Sequence, residues 1–196
     1  MEIVKQALSA GHEVTAVARD PAKLGDFRTK VKVIQGDSTD SRVIEQAVAG
    51  ADAILIALGH ANNSPPDLFT KSVTAIIVAM KKLNVKRLVV LSNVAARDPS
   101  DRPNLYNRFL RGMLMLFLHG VAKDTVEEGK IISESDLDWT VVRANILTDG
   151  PLTRKYRAGP FDGSTKTRIS RSDVADFMIS CAVEGKYIRA KPVISE

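Results

Sequence analysis

The apolar runs of this sequence keep ending on residues that can do chemistry. Arg19 follows the run 13–18, and Lys23 lies one helical turn further on. Asp37 and Ser38 follow 31–34 across Gly36, and Leu58 and Gly59 close the run 53–57. Ser92 follows 87–91, and Asn145 comes just after 140–142 and Arg143. An arginine at a strand end forks its guanidinium onto phosphate oxygens, which suits the 2′-phosphate of NADP. An Asp or Glu there would suit the free 2′-hydroxyl of NAD. Lys23 would add a second positive charge. Asp37 at a strand's carboxyl end can accept from an adenine amino group. Small residues at Leu58-Gly59 would let a cofactor lie across the sheet edge. A hydroxyl at Ser92 can face a nicotinamide and hydrogen-bond a substrate carbonyl, and the Asn145 amide can contact ribose or substrate.

Each residue also has a plainer reading. Arg19 and Lys23 can be solvated surface cations. Asp37 can cap a loop, Gly59 can make a tight turn, and Ser92 can be a turn serine bonding nearby backbone. Arg143 can be a structural ion-pair partner.

The elements needed to position these residues are legible. Most of the runs 13–18, 31–34, 53–57, 87–91 and 140–142 read as continuous apolar strands rather than alternating ones, as a parallel sheet covered on both faces requires. Helical patterns fall between and after them, at 41–48, 66–83, 103–118, 123–135 and 172–183. This alternation predicts right-handed βαβ crossovers and an α/β doubly wound parallel sheet, Rossmann-like. Asp20-Pro21 reads as an N-cap with proline at the first helical position, and Asp40 caps the next helix. Ser170 and Asp173 have capping-box spacing. Gly50 and Asn84 close helices. Met1 already sits inside a helical pattern. The reading is therefore a single NAD(P)-binding domain over 1–196, N-terminally truncated by one strand and one phosphate-binding loop. In the strand order 3-2-1-4-5-6 that strand is central. Its absence predicts unpaired edges on two neighbouring strands, which invite pairing with another chain, a homodimer included.

Composition narrows the function classes. With 196 residues, 44% hydrophobic and 26% charged, the chain suits a soluble globular domain, expected in the cytoplasm. No run is long enough for a membrane span; the longest, 113–118, reads as core or as a lid over the cleft. Cys181, the one cysteine, sits in an apolar helical pattern and reads as a packed thiol. His12, His60 and His119 lack ligand spacing, so no metal site is expected. The net charge is +5, and much of the excess lies between Arg154 and Arg171, where Asp162 is the one acid among six cations. A rim for an acidic ligand and a solvated loop both fit. No nucleic-acid module is recognisable.

Several stretches together resemble the atypical short-chain dehydrogenase/reductases with NAD(P)H-binding, NmrA-like domains. They are Gly-His-Glu-Val-Thr-Ala-Val-Ala-Arg-Asp-Pro-Ala-Lys-Leu ending at Leu24, Val-Ile-Gln-Gly-Asp ending at Asp37, Ala-Leu-Gly ending at Gly59, Leu-Asp-Trp-Thr-Val-Val-Arg ending at Arg143, Leu-Thr-Asp-Gly-Pro-Leu-Thr ending at Thr153, and Ile-Ser-Arg-Ser-Asp-Val-Ala-Asp-Phe ending at Phe177. Within the group the chain is most similar to the biliverdin reductase B and flavin reductase branch. The resemblance implies NADPH as cofactor, with Arg19 and Lys23 on the 2′-phosphate and Asp37 and Ser38 at the adenine. It places Leu58 and Gly59 along the pyrophosphate–ribose path, Ser92 at the nicotinamide as the catalytic residue and Phe69 bordering the pocket. It implies hydride transfer to a small planar acceptor: a flavin, a bilin or a quinone-like molecule. The family's Gly-x-x-Gly-x-x-Gly loop does not appear in the chain, and no Tyr-x-x-x-Lys pair does either. Gly129 and Asn145 stand about where the animal flavin reductases carry histidines, so a bilin is less supported than a flavin. The alternative is a non-catalytic NAD(P)H-sensing regulator of NmrA-like type.

Overall fold

A computed structural model of the chain describes residues 1–59, 64–93, 95–102, 119–162, 165–166 and 168–196. The candidate helix 103–118, the apolar run within it and His60 lie outside the described residues. The chain opens with α1 (Glu2–Ser9), β1 (Thr15–Ala18), a 3₁₀ segment (Pro21–Thr29) and β2 (Lys32–Gln35). Then come α2 (Ser41–Val48), β3 (Ala53–Ile56), α3 (Leu68–Lys82), β4 (Arg87–Ser92), α4 (His119–Ser133) and β5 (Asp138–Arg143). Four short strands and a helix complete it: β6 (Ile146–Thr148), β7 (Arg157–Gly159), β8 (Arg168–Ser170), α5 (Arg171–Glu184) and β9 (Val193–Ser195).

The strands form three separate sheets. One is β1-β2; another runs β3-β4-β5-β9-β7, with only β7 antiparallel to its neighbour. Among the described residues, β1 and β3 each keep one edge without a partner strand. β6 and β8 make a further parallel pair.

Both faces of the larger sheet are covered, which explains its unbroken apolar strands. Side chains alternate: Leu88, Val90 and Val141 point into a core with Ile44 and Val48 of α2, Ile76 and Met80 of α3, and Ile132 of α4. Val89 and Val142 point the other way, onto Val174, Phe177, Met178 and Cys181 of α5. Leu88, Met80 and Met178 are 0% exposed, and each buried side chain of this size stabilises the fold by about 1.5–3 kcal/mol. α1 lies on the α5 face, where Gln6 Nε2 donates to Ser172 O at 2.9 Å. Trp139, the chain's single tryptophan, is buried against the α3–α4 core. Among the described residues its indole N–H has no hydrogen-bond partner, and Lys191 Nζ stands 5.9 Å from its ring.

Caps follow the sequence closely. Asp40 accepts from Arg42 N, and Ser170 Oγ from Asp173 N. Gly50 (φ +77°) and Asn84 (φ 58°) turn the chain out of α2 and α3. Two expectations need correction. Asp20 does cap, but the segment it starts is 3₁₀ and breaks at Gly25 (φ 53°), so no α-helix forms there. The helix expected from 66 starts at Leu68, because its N-terminal amides are bound by a carboxylate from another helix, described below. Gly36 is required by close approach: an added Cβ would collide with the methyls of Val43.

Two buried guanidinium groups brace the sheet. Arg87 gives its protons to oxygens of Asp138, Thr140, Cys181 and Lys186, so the end of α5 is tied to β4 and β5 without any acid. Arg143, 0% exposed, forms a bidentate pair with Asp101 (2.7 Å and 2.7 Å) and also donates to Ala96 O and Lys191 O. Burial pushes the Asp101 carboxyl up, but the Arg143 hydrogen bonds and charge, together with the amides of Asp98 and Phe161, outweigh this and hold it below its usual value. Asp101 in turn accepts from Phe161 N at 3.1 Å. Removing one partner of such a pair strands a buried charge, at about 3–5 kcal/mol. Chemical denaturation should therefore show Asp101→Ala destabilised by about that much. Arg154→Ala, which removes a pair whose arginine is 71% exposed, should cost under about 1 kcal/mol. Equal midpoints for the two variants would overturn the bracing role of Arg143.

Candidate functional site

Because β1 to β5 are all parallel to their sheet neighbours, their carboxyl ends carry the predicted residues out on one edge of each sheet. Two groups result. On the small sheet, Ala18 is in register with Gln35, which sets Arg19 level with Gly36 and beside Asp37. On the large sheet, Ile56 pairs with Val90 and Ser92 with Arg143. Leu58, Ser92 and Asn145 therefore leave adjacent strands at the same edge. The groups are joined through helices: α2 packs on both β1 and α3, and Ser38 Oγ bonds Ser72 Oγ of α3 at 2.8 Å.

The first group is polar and open. Arg19 and Lys23 are exposed, and neither side chain has a hydrogen bond or ion pair among the described residues. Asp37 is partly committed: its Oδ1 takes the amide and hydroxyl of Thr39 at 2.9 and 2.7 Å. Those bonds hold its carboxyl below the usual value, and the Arg19 charge adds to the effect. The loop role of Asp37 is thus realised, and Ser38 faces α3. Gly59 is exposed, with open space where a Cβ would stand, so a ligand can approach its backbone. Leu58 rests against the α2–α3 core.

The second group holds the least ordinary chemistry. Among the described residues Ser92 Oγ makes no bond to nearby backbone, whereas Asn93 Oδ1 accepts from Ala95 N at 2.8 Å. Ser92 Oγ instead donates to Glu128 Oε2 of α4 at 3.3 Å. Glu128 is 3% exposed, and among the described residues no cation lies within ion-pair distance of it. Burial pushes its carboxyl up to about 8, the Asp124 charge adding to this and the Ser92 bond opposing it. Asp124, one turn earlier, accepts from Phe69 N, Thr70 N and Thr70 Oγ1, so α4 caps α3 in trans and orders the turn bearing Phe69. Lys191 Nζ donates to Gly129 O at 3.3 Å, and burial lowers its pKa. Asn145 is half-buried, and its amide has no hydrogen bond among the described residues.

Sequence reasoning missed Glu128, Asp124 and Lys191. A signal existed for the first two: residues 124, 128 and 132 fall on one helix face, so two acids share a stripe with the buried Ile132. Lys191 carried none, since its place depends on the chain's return after α5.

Other expectations resolve plainly. Cys181 is buried, and burial pushes its thiol up to about 11, so it is a packed thiol and not a nucleophile. Arg143 is the structural partner of Asp101. The basic segment is less bare than its sequence suggests: Arg154 pairs with Asp176, Arg157 with Asp162 and Arg171 with Asp149. Among the described residues no cluster of His, Cys, Asp and Glu could hold a metal ion, and no helix is long and apolar enough to cross a membrane. A cleft of about 780 Å³ between α1 and α5 is lined by Lys5, Gln6, Leu152, Asp176 and Ile179. None of the strand-end residues lines it.

Comparison with known proteins agrees with this architecture. The chain is similar to ChuY, an anaerobilin reductase from Escherichia coli O157:H7, with TM-score 0.79 and 19% identity, covering 100% of this chain and 90% of that one. It is similar to a wide-type short-chain dehydrogenase/reductase from Veillonella parvula DSM 2008, solved in complex with NADP, with TM-score 0.76 and 18% identity over 100% and 88% of the two chains. At these identities the likeness shows the fold. In sequence it is 26% identical to the UPF0659 protein C216.03 of Schizosaccharomyces pombe (strain 972 / ATCC 24843), over 94% of this chain and 80% of that protein. The NAD(P)H-binding family pattern matches residues 1–184, nearly the whole chain, and together with the parallel sheet and its strand-end residues it makes this protein a member of the NAD(P)H-binding family.

Proposed function

We propose that this protein is an NADPH-dependent reductase of a flavin-like or other small planar acceptor. The observation that carries the cofactor choice is Arg19: an exposed guanidinium without a partner among the described residues, at the carboxyl end of β1, where a 2′-phosphate would be read. Lys23 adds charge next to it. Asp37 and Ser38 would flank the adenine, and the open backbone at Leu58-Gly59 would run under the pyrophosphate and ribose. Ser92 and Asn145 would stand at the reacting end. NADPH when bound supplies the hydride; the chain's own residues orient cofactor and acceptor and shield them from water. The solved relative in complex with NADP and the relative described as an anaerobilin reductase support the cofactor and the acceptor class by analogy.

Two measurements test this. Fluorescence titration of Arg19→Asp should show NADPH binding weakened at least about tenfold, with NADH binding changed far less; a bidentate arginine–phosphate contact is worth that much. Equal losses for both cofactors would remove the 2′-phosphate role. Ser92→Ala should lower NADPH oxidation with FMN or menadione as acceptor about 10²-fold, while NADPH affinity stays within about twofold. Undiminished turnover would reduce Ser92 to a strand-end residue. Cofactor binding by the native chain without turnover of any acceptor would mark the sensing class.

A further inference from the structure

We infer that Glu128 is the proton reservoir for Ser92, so that the serine hydroxyl passes a proton to the acceptor and is refilled from a buried carboxyl behind it. The inference rests on the reductase reading of the site. Three observations place Glu128 in this role. Its Oε2 lies 3.3 Å from Ser92 Oγ, the strand-end hydroxyl on the reacting side. It is 3% exposed, so bulk water does not set its charge. Among the described residues it has no cationic partner, and the hydrogen bond from Ser92 is the contact that favours its ionised form.

The surrounding groups act the same way. Asp124 on the same helix face adds negative charge, which favours the neutral acid. Lys191, which reaches α4, is engaged by Gly129 O and faces Asp98 and Asp101 from the loop after β4. Arg143 on β5 is consumed by Asp101, and α3 presents the amides of Phe69 and Thr70 to Asp124 rather than to Glu128. A neutral carboxyl therefore persists through neutral pH.

The balance of the step is simple. Reduction of a planar acceptor by two electrons needs one hydride and one proton. NADPH supplies the hydride. The Ser92 hydroxyl, which donates to Glu128 Oε2 in the free site, turns to the acceptor, and the protonated Glu128 carboxyl donates to Ser92 Oγ in its place. The O–H bond of Ser92 then breaks as the acceptor heteroatom gains its proton. A new O–H bond forms on Ser92 as Glu128 loses its own proton, leaving a carboxylate. Solvent restores that proton after product leaves. Glu128 touches no substrate and acts through Ser92. Sequence position alone would not show this, because Glu127 and Glu128 are adjacent acids and only the second faces the sheet.

Glu128→Gln keeps the shape and a hydrogen bond to Ser92 but holds no transferable proton. With NADPH and menadione, native kcat should fall tenfold per pH unit above about 8, as Glu128 ionises. E128Q should lose about 10²-fold in kcat at pH 7 and lose that pH dependence, with KM for NADPH within about twofold. A second readout needs no turnover. The native carboxyl is raised above its ordinary 4.5, so its contribution to stability is full below that pH and is lost as pH rises through about 8. The native folding equilibrium constant should thus decline, relative to E128Q, by up to tenfold per pH unit across that window. Parallel stability curves, or an E128Q with native kcat and pH profile, would overturn the relay and leave the reductase reading standing. If E128Q does not fold, the native pH–rate profile decides, and a flat one overturns the relay. Absence of NADPH turnover by the native protein with both menadione and FMN would overturn the reductase reading and the relay together.

Discussion

The charge on Arg143 has to be answered inside the protein, because no part of its side chain reaches water. Much of the architecture near the site follows from that requirement. Asp101 must come to it, which fixes the loop after β4. Asp101 then captures Phe161 N, and Arg102 N donates to Phe161 O at 2.7 Å, which draws in the segment after β7. Arg143 also takes Lys191 O, which sets the approach to β9. One ion pair thereby fixes the walls around the end of β4, where Ser92 stands. A buried pair of this kind adds little net stability against an apolar substitute, but it specifies geometry.

The sheet edge carries two halves of different character. Around β1 and β2 the residues are exposed, charged and partly free, as recognition of a polar group requires. Around β4 and α4 they are buried and interlocked, as control of a proton requires. The link between them is not a strand ladder but α2 and α3, through their packing on β1 and the Ser38–Ser72 contact. The substitution of helix contacts for a ladder follows from the division of the sheet between β1 and β3.

Much of this was legible in the chain. Continuous apolar runs predicted parallel strands because alternation vanishes when both faces are covered, and the caps at Asp40, Ser170, Gly50 and Asn84 rest on local chemistry. The strand-end residues could be named as candidates because parallel topology sets such ends at one sheet edge without knowledge of side-chain contacts. What failed was non-local. Asp124 caps a helix 55 residues away in sequence, so the start of α3 could not be read from its own residues. The acids that neutralise Arg154 and Arg171 lie outside the basic segment, so counting charges within it overstated its field. Glu128 matters through burial, which a sequence shows only as an acid on an apolar stripe.

The chain also contains its own optical reporter. Trp139 is the single tryptophan, buried in β5 against the core shared with α4, and Lys191 stands beside its ring. Emission excited selectively from indole therefore arises at one place, behind the helix that bears Glu128. Among the described residues its indole N–H has no acceptor, and the ring lies in the buried core. Any rearrangement of α4 or of the return strand at Lys191 would alter that environment first, and the protein would signal it in light without a label.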